Sequence, residues 1–314
     1  MHIPVSTKGI VIKSTGSWYS VLDASGQLHD CRLRGKFKME GLKSTNPIAV
    51  GDHVDFVPDR EGATTGSIIH IYDRRNYIIR KATKLSRQTH IIAANIDQAV
   101  VIATVAEPRT STGFIDRLLV TCEAYSIKAT VVFNKYDLIK TEEDRRLLQQ
   151  YVDTYSLAGY PCMKVSATEN IHLDAFKDLL RGKTSLLAGH SGVGKSTLIN
   201  AIEAAVNLKV QSISSAHLKG KHTTTFAEMI PLSNGGFIID TPGIKEFGLV
   251  DFQQEDLFHY FPEMQALFNQ CRYDNCTHYN EPGCVVKQYV DEGKISTSRY
   301  SNYINMLLKH DTRG

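Results

Sequence analysis

The sequence predicts a multidomain chain in which a small closed β-barrel precedes an α/β unit and a mostly helical tail. Three observations predict it. Short strand-like runs broken by turn residues fill residues 1–75, apolar runs alternate with amphipathic segments from Ile91 onward, and after Val250 strand patterns give way to a cluster of cysteines. At 314 residues, the chain suits two or three domains of about 100 to 200 residues each. The expected boundaries are 1–78, 79–250 with residues 79–90 as a linker, and 251–314.

Composition narrows the class. With 42% hydrophobic and 22% charged residues, the chain reads as an ordinary globular protein. No uncharged apolar run approaches the roughly 18 residues needed to cross a bilayer, and the opening MHIPVSTKGIVIKS lacks the apolar core of a secretory signal. A cytoplasmic protein with no membrane partner, and a monomer, is expected. The formal charge of +3 is unevenly spread: residues 1–90 carry 14 Lys and Arg against 8 Asp and Glu, leaving 22 against 25 for the rest. A basic first module points to a polyanion partner.

In that module, strands are expected at Gly9–Lys13, Trp18–Leu22, His29–Lys38, His53–Val57 and Ser67–Tyr72, separated by turn chemistry at Asn46-Pro47, Gly51-Asp52 and Pro58-Asp59. Five short strands in so compact a span suit an OB-fold barrel better than a sandwich. Arg32, Arg34, Lys36 and Lys38 alternate with Cys31, Leu33, Gly35 and Phe37. On a strand, period two places the four cations on one face, where they suit an RNA phosphate backbone. A solvated strand face explains this feature alone equally well; the charge excess favours RNA.

The stretch from Asn76 to His90 has no clean period and reads as linker. Beyond it, strands are expected at Gln98–Val105, Lys128–Phe133, Cys162–Val165, Thr184–Ala188 and Phe237–Ile239, with helices at Gly113–Ser126 and Glu142–Tyr155. Such alternation argues for a mostly parallel sheet covered by helices.

The strongest chemical signal is Gly189-His190-Ser191-Gly192-Val193-Gly194-Lys195-Ser196, followed by Thr197. It fits the P-loop pattern between a strand and a helix: backbone N–H groups cradle phosphate, Lys195 reaches the outer phosphates and Ser196 ligates Mg2+. Asn134-Lys135-Tyr136-Asp137 follows a predicted strand. The Asp137 carboxylate can accept from the ring N–H and amino group of guanine, while Asn134 braces the loop and the Lys135 stem covers the base. Alone, this tetrapeptide could be a helix cap; beside a P-loop it selects GTP over ATP. Ser166-Ala167-Thr168 is the matching backbone segment at guanine. Asp240-Thr241-Pro242-Gly243 supplies the second Mg2+ element, Asp240 acting through a bound water and the Gly243 N–H sensing the terminal phosphate.

Between these elements lies Gly220-Lys221-His222-Thr223-Thr224-Thr225, a candidate switch in which Thr224 closes on Mg2+, with Thr223 and Thr225 as alternatives. A polar surface loop is the competing reading of this segment. Ile244 stands where many GTPases place a water-orienting glutamine, so unaided turnover is expected to be slow. His222 is the nearest candidate to replace it, with a merely solvated histidine as the alternative; Lys195 and Thr224 complete the candidate catalytic set. The order of these motifs, with the base loop before the P-loop, is a circular permutation. Chain ends and surface connections lie outside a domain's core, so such a permutation preserves the packing.

In the tail, Cys271, Cys276, His278 and Cys284 supply four soft or borderline ligands within fourteen residues, enough for one structural Zn2+. Three unpaired thiols are the alternative. Cys31, Cys122 and Cys162 are scattered, which argues against a disulfide framework. A helix is expected at Ser298–Lys309.

Taken together, the barrel, KLSRQTHIIAANIDQ, NKYD, GHSGVGKS, GKHTTT, DTPGIKEF and the cysteine-histidine cluster resemble, over nearly the whole chain, the RsgA family of circularly permuted GTPases. The resemblance implies an OB-fold, a permuted GTPase domain and a zinc-binding helical domain. It also implies late maturation of the bacterial 30S subunit through 16S rRNA, ribosome-stimulated hydrolysis of GTP to GDP, and a catalytic role for His222. Lys221 departs from the arginine common at that place and lacks its bidentate fork. An RNA-binding module whose nucleotide is purely structural, and a P-loop ATPase or nucleotide kinase, are the competing functional classes.

Overall fold

The structure is a computed structural model that describes residues 6–34, 47–81, 89–203, 227–240 and 254–308. In chain order the strands are β1 (Thr7–Ser14), β2 (Tyr19–Asp23), β3 (Leu28–Leu33), β4 (His53–Pro58), β5 (Thr65–Ile71), β6 (Tyr77–Lys81), β7 (Thr89–Ala94), β8 (Gln98–Ala103), β9 (Lys128–Phe133), β10 (Cys162–Lys164), β11 (Thr184–Ala188), β12 (Glu228–Pro231) and β13 (Phe237–Asp240). The helices are α1 (Thr112–Ala124), α2 (Glu142–Leu157), α3 (Leu173–Leu180), α4 (Lys195–Ile202), α5 (Pro262–Gln265), α6 (Val285–Asp291) and α7 (Thr297–Leu307). The chain divides into two compact units: Met1–Gln98 with Leu179–Leu187 and Ser214–Glu246, and Ala99–Asp178 with Ala188–Ile213 and Phe247–Gly314.

In the first unit, β1 pairs antiparallel with both β2 and β4, β2 with β3, and β4 with β5, while β3 runs parallel to β5. The sheet therefore closes as β1-β2-β3-β5-β4-β1, the five-stranded barrel the turn spacing predicts. Alternation drives the closure: Val11, Tyr19, Val21, Cys31, Ile48, Val54, Phe56 and Ile68 fill its core. Gly9 permits the close approach of β1 to β2, since a Cβ there would lie 2.4 Å from Val21 Cγ1. Two strands stand in the stretch read as linker, where β6 and β7 form an antiparallel hairpin. The same unit contains β12, paired with β1 and β13, and β11, parallel to β13.

The second unit contains β9 between β8 and β10, with β9 and β10 parallel. Strand β8 is buried along its whole length, as the uninterrupted apolar run AVVIA after Gln98 requires of a strand covered on both faces. Helix α1 begins at the N-cap Ser111, whose hydroxyl accepts from the Phe114 N–H, and α2 at a capping box between Thr141 and Asp144. Beyond Gln254 the chain is helical and loop-rich. Its core of Leu257, Phe258, Phe261, Met264, Val286, Ile295, Tyr303 and Leu307 also takes in Val120 of α1. Among the described residues no helix is long and apolar enough to cross a membrane.

Candidate active site and metal centre

The P-loop emerges from β11 and ends in α4, the strand-loop-helix context that a phosphate cradle requires. Gly194, at φ +90°, precedes the helix, and a Cβ on it would lie 2.4 Å from Asn134 Nδ2. Only glycine permits that approach, and Asn134 uses it: its Nδ2 donates to the Val193 carbonyl at 2.8 Å, while its backbone N–H donates to Ala103 O. The two motifs, far apart in sequence, are thus joined directly. Asn134 Oδ1 is buried with no hydrogen-bond partner, an acceptor available to a ligand. Lys195 Nζ donates to Gly189 O at 2.6 Å and His190 O at 3.0 Å, which places its ammonium against the loop. Ser196 and Thr197 lie in the first turn of α4, where backbone N–H groups and the helix dipole favour anions.

The base loop turns on Lys135, in the left-handed region at φ +61°. Its Nζ donates to the Glu107 carbonyl at 2.6 Å, so the stem spans from the base loop to the β8–α1 loop. The Ser166 hydroxyl donates to Asp137 Oδ1, and Ser166 also accepts from the Glu169 N–H at 3.2 Å. Ser166 is fully buried. It therefore aims the carboxylate through its side chain, whereas the sequence suggests only a backbone role for this segment. Tyr136 N–H donates to Val165 O, which ties the loop to the strand end.

In the tail, the ligand atoms of Cys271, Cys276, His278 and Cys284 all lie within 4.8 Å of one another. Cys271 Sγ is 3.6 Å from His278 Nδ1 and 3.9 Å from Cys284 Sγ, and Cys284 Sγ is 3.5 Å from the same nitrogen. A tetrahedral zinc with ordinary bond lengths sets its ligands about 3.6 to 3.8 Å apart, so the spacing fits that ion. Burial lowers the His278 pKa, keeping the imidazole neutral, and pushes the Cys276 thiol up to about 12. A divalent cation reverses the thiol shift by taking the thiolate. Tyr300 and Tyr303 hydroxyls donate to the carbonyls of His278 and Thr277 at 2.8 and 2.6 Å, fastening the cluster to α7. Glu281 accepts from the Thr277 N–H and hydroxyl and from the Tyr279 N–H.

Comparison with known proteins gives these sites a common setting. The RsgA GTPase family model matches residues 71–250, and the RsgA N-terminal domain model residues 8–68. The chain belongs to the RsgA GTPase family. It is a GTPase, with the permuted order of motifs read from its sequence. It is 52% identical to the small ribosomal subunit biogenesis GTPase RsgA of Phocaeicola vulgatus, over 96% of each chain. A relative of the same name from Flavobacterium psychrophilum is 50% identical, over 96% of this chain and 93% of the relative. Among solved structures, YjeQ from Thermotoga maritima matches with a TM-score of 0.78 and 36% identity, covering 99% of this chain and 100% of that one. YloQ, a circularly permuted GTPase, matches with a TM-score of 0.75 and 29% identity, covering 100% and 98%.

For this RsgA-family chain, the structure brings together Asn134, Lys135, Asp137 and Ser166, with Ala167 beside them in the chain, and the loop from Gly189 to Ser196. Asp240 ends β13; its side chain, and Lys221, His222, Thr223, Thr224, Thr225 and Gly243, lie outside the described residues. On the barrel, Arg32 in β3 and Arg34 just after it are exposed while Cys31 is buried, as the alternation predicts. Lys36 and Lys38 lie outside the described residues. The Arg32 guanidinium sits 3.9 Å from the ring of the half-exposed Trp18. Sequence reasoning missed the β8–α1 loop, whose Glu107, Pro108 and Thr110 all approach the P-loop or base loop; Ser111, as an N-cap, was the only local signal there.

Proposed function

We propose that this GTPase works on the small ribosomal subunit, binding 16S rRNA and assisting late 30S maturation, with turnover stimulated by the subunit. The observation that carries the nucleotide chemistry is the joining of base loop and P-loop through Asn134 Nδ2 and Val193 O. The ribosomal assignment draws support from its relatives, which are small ribosomal subunit biogenesis GTPases, and from the exposed Arg32 and Arg34 at the end of β3. Guanine nucleotide is bound by Asn134, Lys135, Asp137, Ser166 and Ala167 at the base. At the phosphates act Gly189, His190, Ser191, Gly192, Val193, Gly194, Lys195, Ser196, Thr197, Asp240 and Gly243. Mg2+ with GTP would be held by Ser196, Thr224 and Asp240, and one Zn2+ by Cys271, Cys276, His278 and Cys284. When bound there, magnesium would neutralise developing phosphate charge and zinc would help fold the tail.

In this reading Lys195 reaches the outer phosphates, His222 assists the attacking water in place of the absent glutamine, and Arg32, Arg34, Lys36 and Lys38 contact RNA. The modules are 1–78, 79–250 and 251–314, in a cytoplasmic monomer. The test is steady-state GTP turnover by the protein alone, with small subunits and with large subunits. Stimulation by the small subunit only is expected. Equal stimulation by both, or by neither, removes the small-subunit assignment while leaving the GTPase.

A further inference from the structure

The β8–α1 loop carries a buried hydrogen-bond system that ends on the P-loop. Thr110, 1% exposed, donates its N–H to Thr104 O at 2.8 Å. Thr104 N–H in turn donates to Thr110 Oγ1 at 3.0 Å, and the Thr104 hydroxyl to Pro108 O. Tyr151 of α2 donates its hydroxyl to Thr110 O at 3.2 Å. So anchored, Thr110 Oγ1 lies 2.7 Å from His190 Nε2. The other ring nitrogen, Nδ1, is 2.9 Å from the Ser191 carbonyl. Phe114 of α1 meets the ring edge-on, at 5.5 Å between centroids and 79°.

These contacts fix where the protons are. A carbonyl oxygen only accepts, so His190 Nδ1 must carry a proton and donate to Ser191 O. With Nδ1 protonated, Nε2 is the acceptor of the neutral ring, so the Thr110 hydroxyl, which accepts from the Thr104 N–H, donates to it. The peptide that follows is planar, with its C=O and N–H pointing in opposite directions. Holding Ser191 O against the imidazole therefore turns the Gly192 N–H away from it. Gly192 is in the left-handed region at φ +86°, and a Cβ on it would lie 3.1 Å from Pro108 Cγ, so the same loop also bounds it.

We propose that Thr110 is a positioning residue for nucleotide binding. It holds the His190 ring in its Nδ1–H form, and through that ring sets the Ser191–Gly192 peptide of the phosphate cradle. The proposal rests on the reading of residues 189–196 as the nucleotide loop.

The test is affinity for fluorescent GDP, with steady-state KM and kcat for GTP, in Thr110→Val, Thr110→Ser, His190→Ala, Thr110→Val combined with His190→Ala, and Lys195→Ala. Valine keeps the shape and removes the hydroxyl. It is expected to weaken GDP binding about three- to tenfold, the range of one net hydrogen bond, and to raise KM more than it lowers kcat. Serine is expected to restore affinity to within about twofold, and valine to have no further effect once His190 is alanine. Unchanged affinity in Thr110→Val, or the same loss with and without His190, overturns the proposal alone when Lys195→Ala binds poorly. Full affinity in Lys195→Ala overturns the loop reading and the proposal with it. Should Thr110→Val fail to fold, the 15N shifts of the His190 ring in the unmodified protein decide: the Nδ1–H tautomer supports the proposal and the Nε2–H tautomer overturns it.

Discussion

In the proposed reading, Asp137 is the residue on which the choice of purine turns. One of its oxygens takes the Ser166 hydroxyl, which leaves Oδ2 to accept from a base. Asn at this position would replace an acceptor with a donor amide facing the guanine N–H groups. Asp137→Asn is therefore expected to lose at least about tenfold in GDP affinity, since a hydrogen bond to a charged group contributes roughly 1.5 to 3 kcal/mol. Competition of unlabelled GDP against fluorescent GDP measures it, and near-unchanged competition would contradict the assigned role. Motif residues such as Asp137 and Lys195 were legible because their chemistry lies in four to eight consecutive letters. Ser166 as a side-chain brace and Thr110 as a neighbour of His190 were not. Their contacts span 29 and 80 residues, and nothing local marks them.

At the scale of elements, the C-terminal helix is fastened to the nucleotide unit by a buried cation. Arg299 of α7 is fully buried; its Nη1 donates to Asp116 of α1 at 2.8 Å, and its Nε and Nη2 to Glu263 at 2.7 and 3.0 Å. Asn302, one turn on, donates to Asp116 Oδ2 and Thr112 Oγ1. Phe261 lies under the guanidinium at 4.7 Å. Removing the cation strands two carboxylates, so Arg299→Met is expected to destabilise the chain by about 3 to 5 kcal/mol, read from the urea midpoint. Within the cysteine-histidine loop, burial works against the charge of Glu281, yet its hydrogen bonds from Thr277 and Tyr279 outweigh it and hold the pKa at about 2, below the ordinary 4.5. A depressed carboxylate stabilises the fold above its ordinary value, and that contribution is lost as pH falls from about 4.5 towards 2. Glu281→Gln is expected to lower stability by about 1 to 2 kcal/mol at neutral pH, with the gap to wild type closing across that acid range in urea titrations. The periodicity of α7 was readable, as were β9 and β11, whose ends fall where the apolar runs end. Helices α5 and α6 have four and seven residues, too few for a helical period to emerge. The β6–β7 hairpin was missed because charged residues interrupt its apolar alternation.

Across the whole molecule, the permuted order sends the chain from Gly243 into the C-terminal residues, where an unpermuted GTPase would continue into its base-recognition half. The segment proposed to sense the terminal phosphate is thus covalently continuous with the module bearing the cysteine cluster. That module packs on α1 through Val120 and the Arg299–Asp116 pair, and α1 starts two residues after Thr110, at the edge of the P-loop. In the proposed reading, the C-terminal helix therefore has two routes to the nucleotide, one along the chain and one through packing. Amide exchange in α7 is expected to differ between the protein bound to GDP and the protein bound to a non-hydrolysable GTP analogue, because a ligand that favours one arrangement shifts the opening equilibrium of the elements joined to it. Arg299→Met provides the discriminating comparison. If packing carries the coupling, the variant's α7 exchange should lose its dependence on nucleotide while its GDP affinity stays within about threefold of wild type. Persistence of the difference in the variant would assign the coupling to the covalent route. Identical α7 exchange in both nucleotide states of the unmodified protein would show that the permutation transmits nothing to this module.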